Sequence, residues 1–559
     1  MADEWQDLTL DNVDVGRSLQ DFLEEVTQLG NTCIYFHNLK FDGRFILDHL
    51  LKIGYQFNAE RASLPGTFKA LISDTGQFYT LTVWWENGYI TEFRDSLKKL
   101  PMSVAEIAKA FTMDTAKGEI DYTLPRPIGW EITDEERIYI QTDVLIVARA
   151  LGQQFRVGLT RLTVGSDALA EFKQLTGRKQ YDHLFPCFSY SLDAEIRRAY
   201  RGGFTYADPR FTGRVLGAGK VFDVNSLYPY IMYDRPVPYG MPEWCDGYPE
   251  PTPQRPLTIF SMTFTARLKP GHIPCIQIKN NSRFMPTEYL SVISEPTSLM
   301  VTNIDHELML DHYDLDVIEY TGGWRFTAAN GVFDAYIDKW MRIKAHSTGG
   351  MRAMAKLQLN SLYGKFATNP DVTGKQPYLT DTGTVALCLG APEQRDPVYT
   401  PAGVFITSYA RDLTIRAAQN NYDTFAYADT DSLHLLTEAS PAGLDIHQSQ
   451  LGSWKHELDF DSAYYIRAKG YLEHGYDPYK EGDQPRYHNA IAGVPTYMSA
   501  VLTYDDLVPG TTITVRHRGE HVERLTGQRH GSVFMHGKLV PRSHPGGIVL
   551  TDTPFELKL

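Results

Sequence analysis

The stretch YADTDSLHL, at residues 427–435, places two aspartates one residue apart among apolar and aromatic side chains. A carboxylate is costly to bury unless a positive charge or a metal ion neutralises it. Two strands that meet at DTD would form a tight hairpin with Asp429 and Asp431 at its tip, where divalent cations would neutralise them. A D-x-D turn alone is more often a solvated loop than a metal site.

Two other stretches carry residues suited to the same chemistry. VFDVNSLYPYIM, at 221–232, predicts a strand that ends near Asp223 and a helix with Pro229 in its first turn. AKLQLNSLYGKF, at 355–366, predicts a helix on which four residues share one face: Lys356, Asn360, Tyr363 and Gly364. Taken singly, Asp223 could cap a helix, and the helix face could be an ordinary amphipathic surface.

In combination, the strand-end aspartate, the basic helix and the paired-aspartate hairpin fit a two-metal phosphoryl-transfer site. Two cations about 4 Å apart would activate a 3′-hydroxyl and stabilise the leaving pyrophosphate. The helix face would offer a cation for the phosphates, an aromatic plane for the base pair and a gap that admits the nucleotide.

The elements that must position these residues form several units, because 559 residues with 43% hydrophobic content suffice for three or four. The N-terminal part predicts a buried strand at 32–36, a helix over RFILDHLLKIG and paired strands at 76–94 with ENG as their turn. A second helix, over TDEERIYIQTDVLIVARAL, has Thr133 as its N-cap. This order predicts a self-contained α/β domain up to about residue 163, and the glycine pair of YRGGF, at 200–204, predicts a joint.

The remainder predicts α+β structure. Residues 235–331, rich in Pro and Gly with short strand-like runs, predict an inserted α+β module. Residues 332–367 predict helices, and residues 371–398 are again turn-rich. The sequence has no GxxxxGK[ST] loop, so ATP-driven motor activity is not indicated.

Charge and cysteine content narrow the class of protein. The net charge of -14 is unfavourable for binding nucleic acid, but local patches decide contacts. The C-terminal segment is basic, although a solvated surface explains it equally well. Its charged residues are Arg516, Arg518, Arg524, Arg529, Lys538 and Arg542 against Glu520 and Glu523. The cysteines are scattered without a CxxC pair, which favours a reducing compartment over a disulfide framework or a zinc site. We expect a soluble, cytosolic protein, because neither a signal peptide nor a membrane-length apolar run is apparent.

Longer motifs carry a resemblance to a known family. FDVNSLYP, LNSLYGKFA and YADTDS resemble polymerase motifs A, B and C of the family B DNA polymerases. With DPVYTPAG and YFHNLKFDG, they resemble the protein-primed subgroup of that family. The resemblance runs from about residue 15 to the C-terminus and is highly specific.

This resemblance implies an α/β and α+β multidomain fold. A ribonuclease-H-like 3′–5′ exonuclease domain, lacking its first strand, would precede a right-hand polymerase of palm, fingers and thumb with two terminal-protein regions. The first region would dock a protein primer, and the second would be a hairpin that helps encircle DNA and part its strands. The expected boundaries are 1–163 for the exonuclease-like domain, 164–234 for the start of the palm, 235–331 for region 1, 332–367 for the fingers, 371–398 for region 2, 399–501 for the remaining palm and 502–559 for the thumb.

The resemblance also assigns roles in the polymerase part. Asp223 and Asp431 would be the catalytic metal-binding pair, with the Val224 carbonyl as a further ligand and Asp429 in support. Tyr228 would stack under the sugar and exclude a 2′-hydroxyl, and Tyr363 would line the nascent base pair. Nucleotide-binding residues would be Lys344, Arg352, Lys356, Asn360 and Gly364, and Arg352 stands where the family has Lys. DNA contacts would come from Lys469 and Tyr471 of a KxY motif and from Tyr200, Gly202 and Gly203 of a YxGG motif.

In the exonuclease-like domain, the resemblance makes Asp42 and Asp143 metal ligands and places Glu119 where the family has an acid. Single-stranded DNA would contact His37, Asn38, Phe41, Ser96, Leu97 and Tyr139. The family's domain begins with a strand that bears a D-x-E pair, and no such pair precedes YFHNLKFD here. We therefore expect little or no proofreading, and we suspect that the natural protein starts upstream of this sequence.

The resemblance implies two magnesium ions per polymerase site, which manganese could replace. Its partners would be primer-template DNA, deoxynucleoside triphosphates, a terminal protein as primer and a single-stranded DNA-binding protein. The setting would be the cytoplasm of a bacterial host, with the protein encoded by a virus or plasmid and acting as a monomer. Two alternatives stay open on residues alone: a non-catalytic binding remnant of a polymerase, and a paired-carboxylate hydrolase without nucleic acid. The intact aspartates oppose the first, and the triphosphate-binding helix opposes the second.

Overall fold

The structure is a computed structural model that describes residues 8–58, 64–111, 120, 126, 129–278, 288–515, 522–525 and 531–559. Its N-terminal part is an α/β unit with strands in the order β1-β5-β4-β3-β2. The strands are β1 (Thr32–Phe36), β2 (Gln56–Phe57), β3 (Thr67–Ile72), β4 (Phe78–Trp84) and β5 (Ile90–Asp95), and the helices are α1 (Leu19–Gln28), α2 (Leu39–Lys52), α3 (Val104–Ala110) and α4 (Asp134–Arg156).

Strand β1 differs from the prediction of a buried strand. It pairs in parallel with β5 and has no strand on its other side within the described residues. Among the described residues one edge of β1 thus stays without a partner, and Cys33, the second residue of the strand, is exposed. The prediction for α4 is confirmed: Thr133 caps the helix and forms a reciprocal capping box with Glu136.

Residues 164–234 lead from this unit into a second sheet. Helices α5 and α11 pack together and help to build the largest hydrophobic core of the molecule. The first elements here are α5 (Val164–Thr176), α6 (Arg178–Leu184), α7 (Tyr190–Arg197), β6 (Thr205–Ala207), β7 (Val215–Leu216), β8 (Gly219–Val224) and α8 (Leu227–Asp234). The helical elements predicted at 332–367 follow later in the chain as α10 (Asp334–His346) and α11 (Gly349–Phe366).

Between α8 and α10 the chain forms a separate four-stranded antiparallel sheet, ordered β13-β10-β14-β9, with one helix. The sheet and helix lie within 235–331, the stretch for which an inserted α+β module is predicted. Its elements are β9 (Val237–Cys245), β10 (Leu257–Leu268), β11 (Gln277–Ile278), β12 (Glu288–Tyr289), β13 (Val292–Thr302), α9 (Asn303–His312) and β14 (Tyr313–Ala329).

A hairpin of β15 (Asp371–Leu379) and β16 (Val385–Gln394) follows α11 and reaches the N-terminal unit, where Val385 joins the core of that unit. The long helix α12 (Thr400–Asn420) then returns to the second sheet. Five more strands complete it in the order β21-β20-β19-β8-β18-β17-β6, with β7 paired to β19. They are β17 (Phe425–Asp429), β18 (Ser432–Leu435), β19 (Trp454–Arg467), β20 (Gly470–Tyr476) and β21 (Arg486–Ile491).

The C-terminal part closes back on the N-terminal unit. In the turn between β25 and β26, Gly547 lies against the Phe45 ring of α2, and the Gly546 N–H donates to Asp48 at 3.2 Å. The elements are α13 (Thr496–Ser499), β22 (Thr512–Val515), β23 (Val522–Leu525), β24 (Ser532–His536), β25 (Leu539–His544), β26 (Gly547–Asp552) and β27 (Phe555–Lys558). No helix in the described ranges is long and apolar enough to cross a membrane.

Candidate active site

The paired-aspartate hairpin forms as predicted and lies beside the strand-end aspartate. Strand β18 pairs with β8 so that Ser432 lies opposite Asp223, and the Val224 N–H donates to the Asp431 carbonyl at 2.8 Å. Thr430, between the two aspartates of the hairpin, has a φ of 66°. Antiparallel sheet register therefore fixes Asp223 next to Asp431, although 208 positions separate them along the chain.

The two carboxyl groups interact strongly. Burial, and after it the charge of Asp431, raises the pKa of Asp223 to about 8. Burial also raises the pKa of Asp431, and the charge of Asp429 adds to this. One carboxylate oxygen of Asp223 is buried and has no hydrogen-bond partner among the described residues. Such a pair favours a bound cation, because a cation supplies the missing partner and removes the mutual repulsion.

Asp429 lies two residues before Asp431 in the hairpin, and its carboxylate has hydrogen-bond partners of its own. The Lys469 ammonium donates to both of its carboxylate oxygens, at 2.7 and 2.9 Å, and the Thr205 hydroxyl donates at 3.0 Å. In the described part of the chain, no three His, Cys, Asp or Glu side chains are grouped closely enough to hold a metal. The structure thus brings together Asp223 and Asp431 and directs Asp429 towards Lys469.

The helix face predicted on α11 lies across from this pair. The rings of Tyr363 and Tyr228 stack with centroids 3.8 Å apart and planes 19° from parallel. Lys356 is exposed, and its charge lowers the pKa of Asp223 and of Asp431, which places its ammonium near both. Asn360 and Gly364 are also exposed, and a Cβ added at Gly364 would meet nothing within 4 Å.

Two further cations gather at the start of this helix. The Lys344 ammonium donates to the Ser226 hydroxyl at 2.9 Å, and the Arg352 guanidinium donates to the Lys344 carbonyl at 2.5 Å. Burial lowers the pKa of Lys344, and the charges of Arg352 and Lys356 lower it further. These three side chains form a concentrated positive surface beside the aspartate pair, suited to a polyphosphate.

The YxGG and KxY segments approach the hairpin from two sides. A Cβ added at Gly203 would lie 2.6 Å from the Thr430 side chain, so this loop contacts the DTD turn closely only because the residue is glycine. Tyr200 and Gly202 belong to the same loop, and the Gly202 carbonyl accepts from Arg411 at 2.9 Å. Tyr471 lies on β20, one residue past the strand's start, with its ring 5.0 Å from that of Tyr427.

Sequence reasoning missed one charged pair at this site. Glu457 and Lys455 lie on β19, where Lys455 is opposite Asp223, and their side chains form an ion pair of 2.7 Å. The charge of Glu457 raises the pKa of Asp223, and that of Lys455 lowers it. No local motif marks these residues, since only the pairing of β19 with β8 brings them to the aspartates.

The N-terminal unit holds a second pair of aspartates in a cavity of about 910 Å³ beside the open edge of β1. Asp42 of α2 and Asp143 of α4 line it together with Asp14, His37 and Tyr139. Burial raises the pKa of Asp42 to about 6. The cavity walls are mostly apolar, with Phe22, Ile34, Phe36, Val104, Ile140 and Val144 among them.

Apart from His37, the other residues predicted for this cavity are not among those that line it. His37 contacts the Ser96 hydroxyl at 3.0 Å and the Met102 carbonyl at 2.9 Å. Asn38 caps α2 with a φ of 77°, Phe41 packs on Phe45 with ring centroids 5.7 Å apart, and Leu97 follows the buried Ser96. Glu119 lies outside the described residues.

A further acid near the cavity was not predicted. Asp95 is 1% exposed, and its carboxylate accepts from the backbone N–H groups of Asn38 and Leu97, both at 3.0 Å. Its charge contributes to the raised pKa of Asp42. Because Oδ1 accepts both backbone bonds and Oδ2 lies 3.6 Å from the Lys98 ammonium, Asp95 supports the loop and is less available as a ligand.

Comparison with known proteins places this geometry in a family. The model of the organellar and viral type B DNA polymerases matches residues 26–126 and 123–445. DNA polymerases of Bacillus phages Nf and phi29 are each 43% identical to the chain, over 98% and 97% of it and 95% and 93% of the phage proteins. The DNA polymerase of Streptococcus phage Cp-1 is 32% identical over 98% of the chain and 93% of that protein.

Solved structures show the same likeness. The structure is similar to phi29 DNA polymerase complexed with primer-template DNA, with a TM-score of 0.88 and 41% identity. It is equally similar to that polymerase complexed with primer-template DNA and incoming nucleotide substrates, with a TM-score of 0.88 and 42% identity. Both matches cover 98% of this chain and 94% of the solved chain.

Proposed function

The chain belongs to the organellar and viral type B DNA polymerases, and we propose that it replicates a linear viral or plasmid genome by protein-primed, strand-displacing synthesis. It is a DNA-directed DNA polymerase with a mixed α/β, multidomain fold. The observation that carries the chemistry is the contact between β8 and β18, which sets Asp223 beside Asp431 at the tip of the hairpin.

We propose that Asp223 and Asp431 hold the divalent metal ions that this family uses, with magnesium as the natural ion and manganese as a substitute. The residues present fit such ions, because the pair contains a buried carboxylate oxygen without a partner among the described residues and two carboxyl groups whose pKa values are raised. Bound cations would supply Lewis-acid activation of a 3′-hydroxyl and stabilisation of pyrophosphate. The Val224 carbonyl and Asp429 are proposed as further support.

The residues around the pair would bind and orient the substrates. Lys344, Arg352 and Lys356 would hold the triphosphate of an incoming nucleotide, as their shared positive surface suggests. Tyr228 and Tyr363 fill the space beside it with stacked rings, so the base pair and sugar would displace this stack. Lys469, which is already bound to Asp429, and Tyr471 would hold the primer end.

Protein priming and strand displacement rest on the two insertions. The four-stranded sheet at 237–329 is a separate module suited to docking a terminal protein. The hairpin of β15 and β16 contacts the N-terminal unit, which in turn contacts the C-terminal turn at Gly547. This closed path of elements is suited to encircling a template. Partners would therefore be primer-template DNA, deoxynucleoside triphosphates and a terminal protein, in the cytoplasm of a bacterial host.

We propose that 3′–5′ exonuclease activity is weak in the 559-residue chain. The N-terminal cavity is lined by Asp14, Asp42 and Asp143, whereas the carboxylate of Asp95 is engaged by backbone N–H groups. Asp14 is exposed and is not part of a D-x-E pair, so two ions in this cavity would still have few anionic ligands.

Primer extension tests the central proposal. The purified chain should extend a primer on a single-stranded template with magnesium and four deoxynucleotides. A chain that binds primer-template DNA without extending it would indicate a non-catalytic remnant, and one that binds neither DNA nor nucleotides would indicate a different enzyme. Protein priming has its own readout, since terminal fragments of the replicated genome should carry bound protein that retards them in a gel until protease is added.

Deleting residues 373–395 tests the role of the hairpin. Synthesis through duplex DNA should slow far more than gap filling on single strands. Equal loss on both templates would show that the hairpin does not separate strands. Because Val385 packs in the N-terminal core, a thermal melt of the deletion variant must accompany the assay.

A further inference from the structure

A buried polar network lies directly behind the catalytic hairpin and has no role in the proposed chemistry. His434, Tyr465 and Glu473 are each at most 2% exposed. The Glu473 carboxyl group contacts His434 Nδ1 at 2.5 Å and accepts from the Tyr465 hydroxyl at 2.6 Å. Burial and the Glu473 contact raise the pKa of Tyr465, so its hydroxyl keeps the proton that it donates.

The network connects β18 with two strands that are not its neighbours in the sheet. His434 lies on β18, Tyr465 on β19 and Glu473 on β20, and both β8 and β19 intervene between β18 and β20. Adjacent strands are separated by about 4.8 Å, so side chains of β18 and β20 meet only across the face of the sheet. The network therefore ties together two hairpins that the backbone ladder links only through the intervening strands.

Each end of the network leads to a group of the active site. On β18, His434 Nε2 lies 3.4 Å from the Ser432 hydroxyl, which in turn accepts from the Asp429 N–H at 3.3 Å. Ser432 is opposite Asp223 and His434 is opposite Val221, so the network lies one pleat behind the aspartates on the same face.

On β20 the network reaches the segment that would hold the primer end. Tyr471 is two residues from Glu473 on the same face of the strand, and its ring lies 5.0 Å from those of His434 and Tyr427. The Tyr427 hydroxyl accepts the Lys469 N–H at 2.9 Å, which stabilises Lys469 at a φ of 55°. Lys469 then reaches Asp429, so the two hairpin tips depend on a common support.

We propose that His434, Tyr465 and Glu473 are positioning residues that align the primer end, held by Lys469 and Tyr471, with the hairpin that carries Asp429 and Asp431. The inference rests on the proposed function of the site. A fully satisfied buried network has one geometry, and removing a member leaves the others unpaired. A displacement of about 1 Å at the reacting atoms can cost about 100-fold in rate.

The test compares Glu473→Leu with Glu473→Gln, which keeps an oxygen that can accept from Tyr465. Single-nucleotide incorporation is measured in a rapid-mixing burst at saturating DNA, with the burst amplitude counting correctly folded molecules and the burst rate reporting alignment. We expect Glu473→Leu to lower the burst rate about 10- to 100-fold with little change in the nucleotide KM. Glu473→Gln should retain most of the rate.

His474→Gln is the matched control. His474 is the next residue on β20, faces the other side of the sheet and contacts Asp461 at 2.8 Å, so the variant loses a similar contact away from the network. It should incorporate at the wild-type burst rate. Tyr465→Phe removes one hydroxyl and keeps the ring, and it should lower the burst rate even if Glu473→Leu fails to fold.

Two results would overturn the inference. A Glu473→Leu or Tyr465→Phe variant with reduced burst amplitude but the wild-type burst rate would show a purely structural role. A Glu473→Gln variant as slow as Glu473→Leu would show that hydrogen bonding within the network does not determine the rate. The wild-type chain distinguishes a failure of this inference from a failure of the proposed function. If the wild type does not incorporate nucleotides, the proposed function itself is contradicted.

Discussion

The N-terminal cavity and the hairpin site each hold two aspartates that come from different elements, but the surroundings of the two pairs differ. Asp223 and Asp431 lie on paired strands, and the pKa of Asp223 is raised to about 8 in part by the charge of its neighbour. Asp42 and Asp143 lie on two helices that line an open cavity, and the pKa of Asp42 is raised to about 6 mainly by burial.

The difference shows that a pair of aspartates can serve as a metal site when the surrounding backbone and charges hold the two carboxylates in place. In the second sheet, backbone hydrogen bonds set the register between β8 and β18, and Lys356 and Lys469 supply charge nearby. In the N-terminal unit, β1 has a strand on one side only within the described ranges, and its residues line the cavity. A strand edge without a partner holds neighbouring groups less firmly.

The largest expected effect is the loss of synthesis in Asp431→Asn. The amide keeps the size of the side chain but cannot serve as an anionic ligand, so the rate of primer extension should fall by about 1,000-fold or more. Binding of primer-template DNA should stay nearly unchanged in a gel-shift assay. Asp143→Asn is the matched control and should extend primers at the wild-type rate. Retained synthesis in Asp431→Asn would contradict the assignment.

The hairpin site shows which features can be predicted from residue spacing within single segments. The hairpin at DTD, the strand before Asp223 and the shared face of Lys356 and Tyr363 follow from spacing within single segments, and the structure contains all of these elements. Glu457 could not be predicted in this way, because its place beside Asp223 depends on β19 crossing to pair with β8.

In the N-terminal unit too, strand pairing between distant segments could not be predicted from the local sequence. The apolar run at 32–36 predicts a buried strand, yet burial depends on a neighbour on each side, and β1 has one within the described residues. Asp429 is another example. Its position in the DTD motif predicts a metal ligand, but the ammonium of Lys469, 40 residues away, donates to its carboxylate.

Lys356→Gln should have the next largest effect. A hydrogen bond to a charged group contributes about 1.5–3 kcal/mol, so loss of the ammonium should raise the nucleotide KM by about 10- to 100-fold. Lys356→Arg keeps the charge and should stay close to wild type. Steady-state kinetics over a range of nucleotide concentrations measures both variants, and an unchanged KM in Lys356→Gln would place the triphosphate elsewhere.

The dependence of synthesis on magnesium should vary with pH in the hairpin site. A proton on Asp223 must leave before a cation binds, and the raised pKa of about 8 means that this competition persists at neutral pH. The magnesium concentration for half-maximal extension should therefore be about fivefold higher at pH 7 than at pH 8. The pKa of Asp42, about 6, predicts little change for the N-terminal cavity over the same range. An equal magnesium requirement at both pH values would show that Asp223 is already deprotonated at pH 7.

The smallest expected effect is that of Asp143→Ala on degradation of a 3′-mismatched single strand, with magnesium or manganese and without nucleotides. Digestion by the chain should be slow, because the cavity offers Asp42, Asp143 and the exposed Asp14 but no D-x-E pair, and Asp95 satisfies the N–H groups of Asn38 and Leu97. Removing one ligand from a site that already works poorly should change the rate little. Asp431→Asn serves as the control, since it lies in the other site and should also leave digestion unchanged. Rapid, metal-dependent digestion that Asp143→Ala abolishes would show that the cavity has a complete set of ligands and that the two pairs of aspartates are functionally alike.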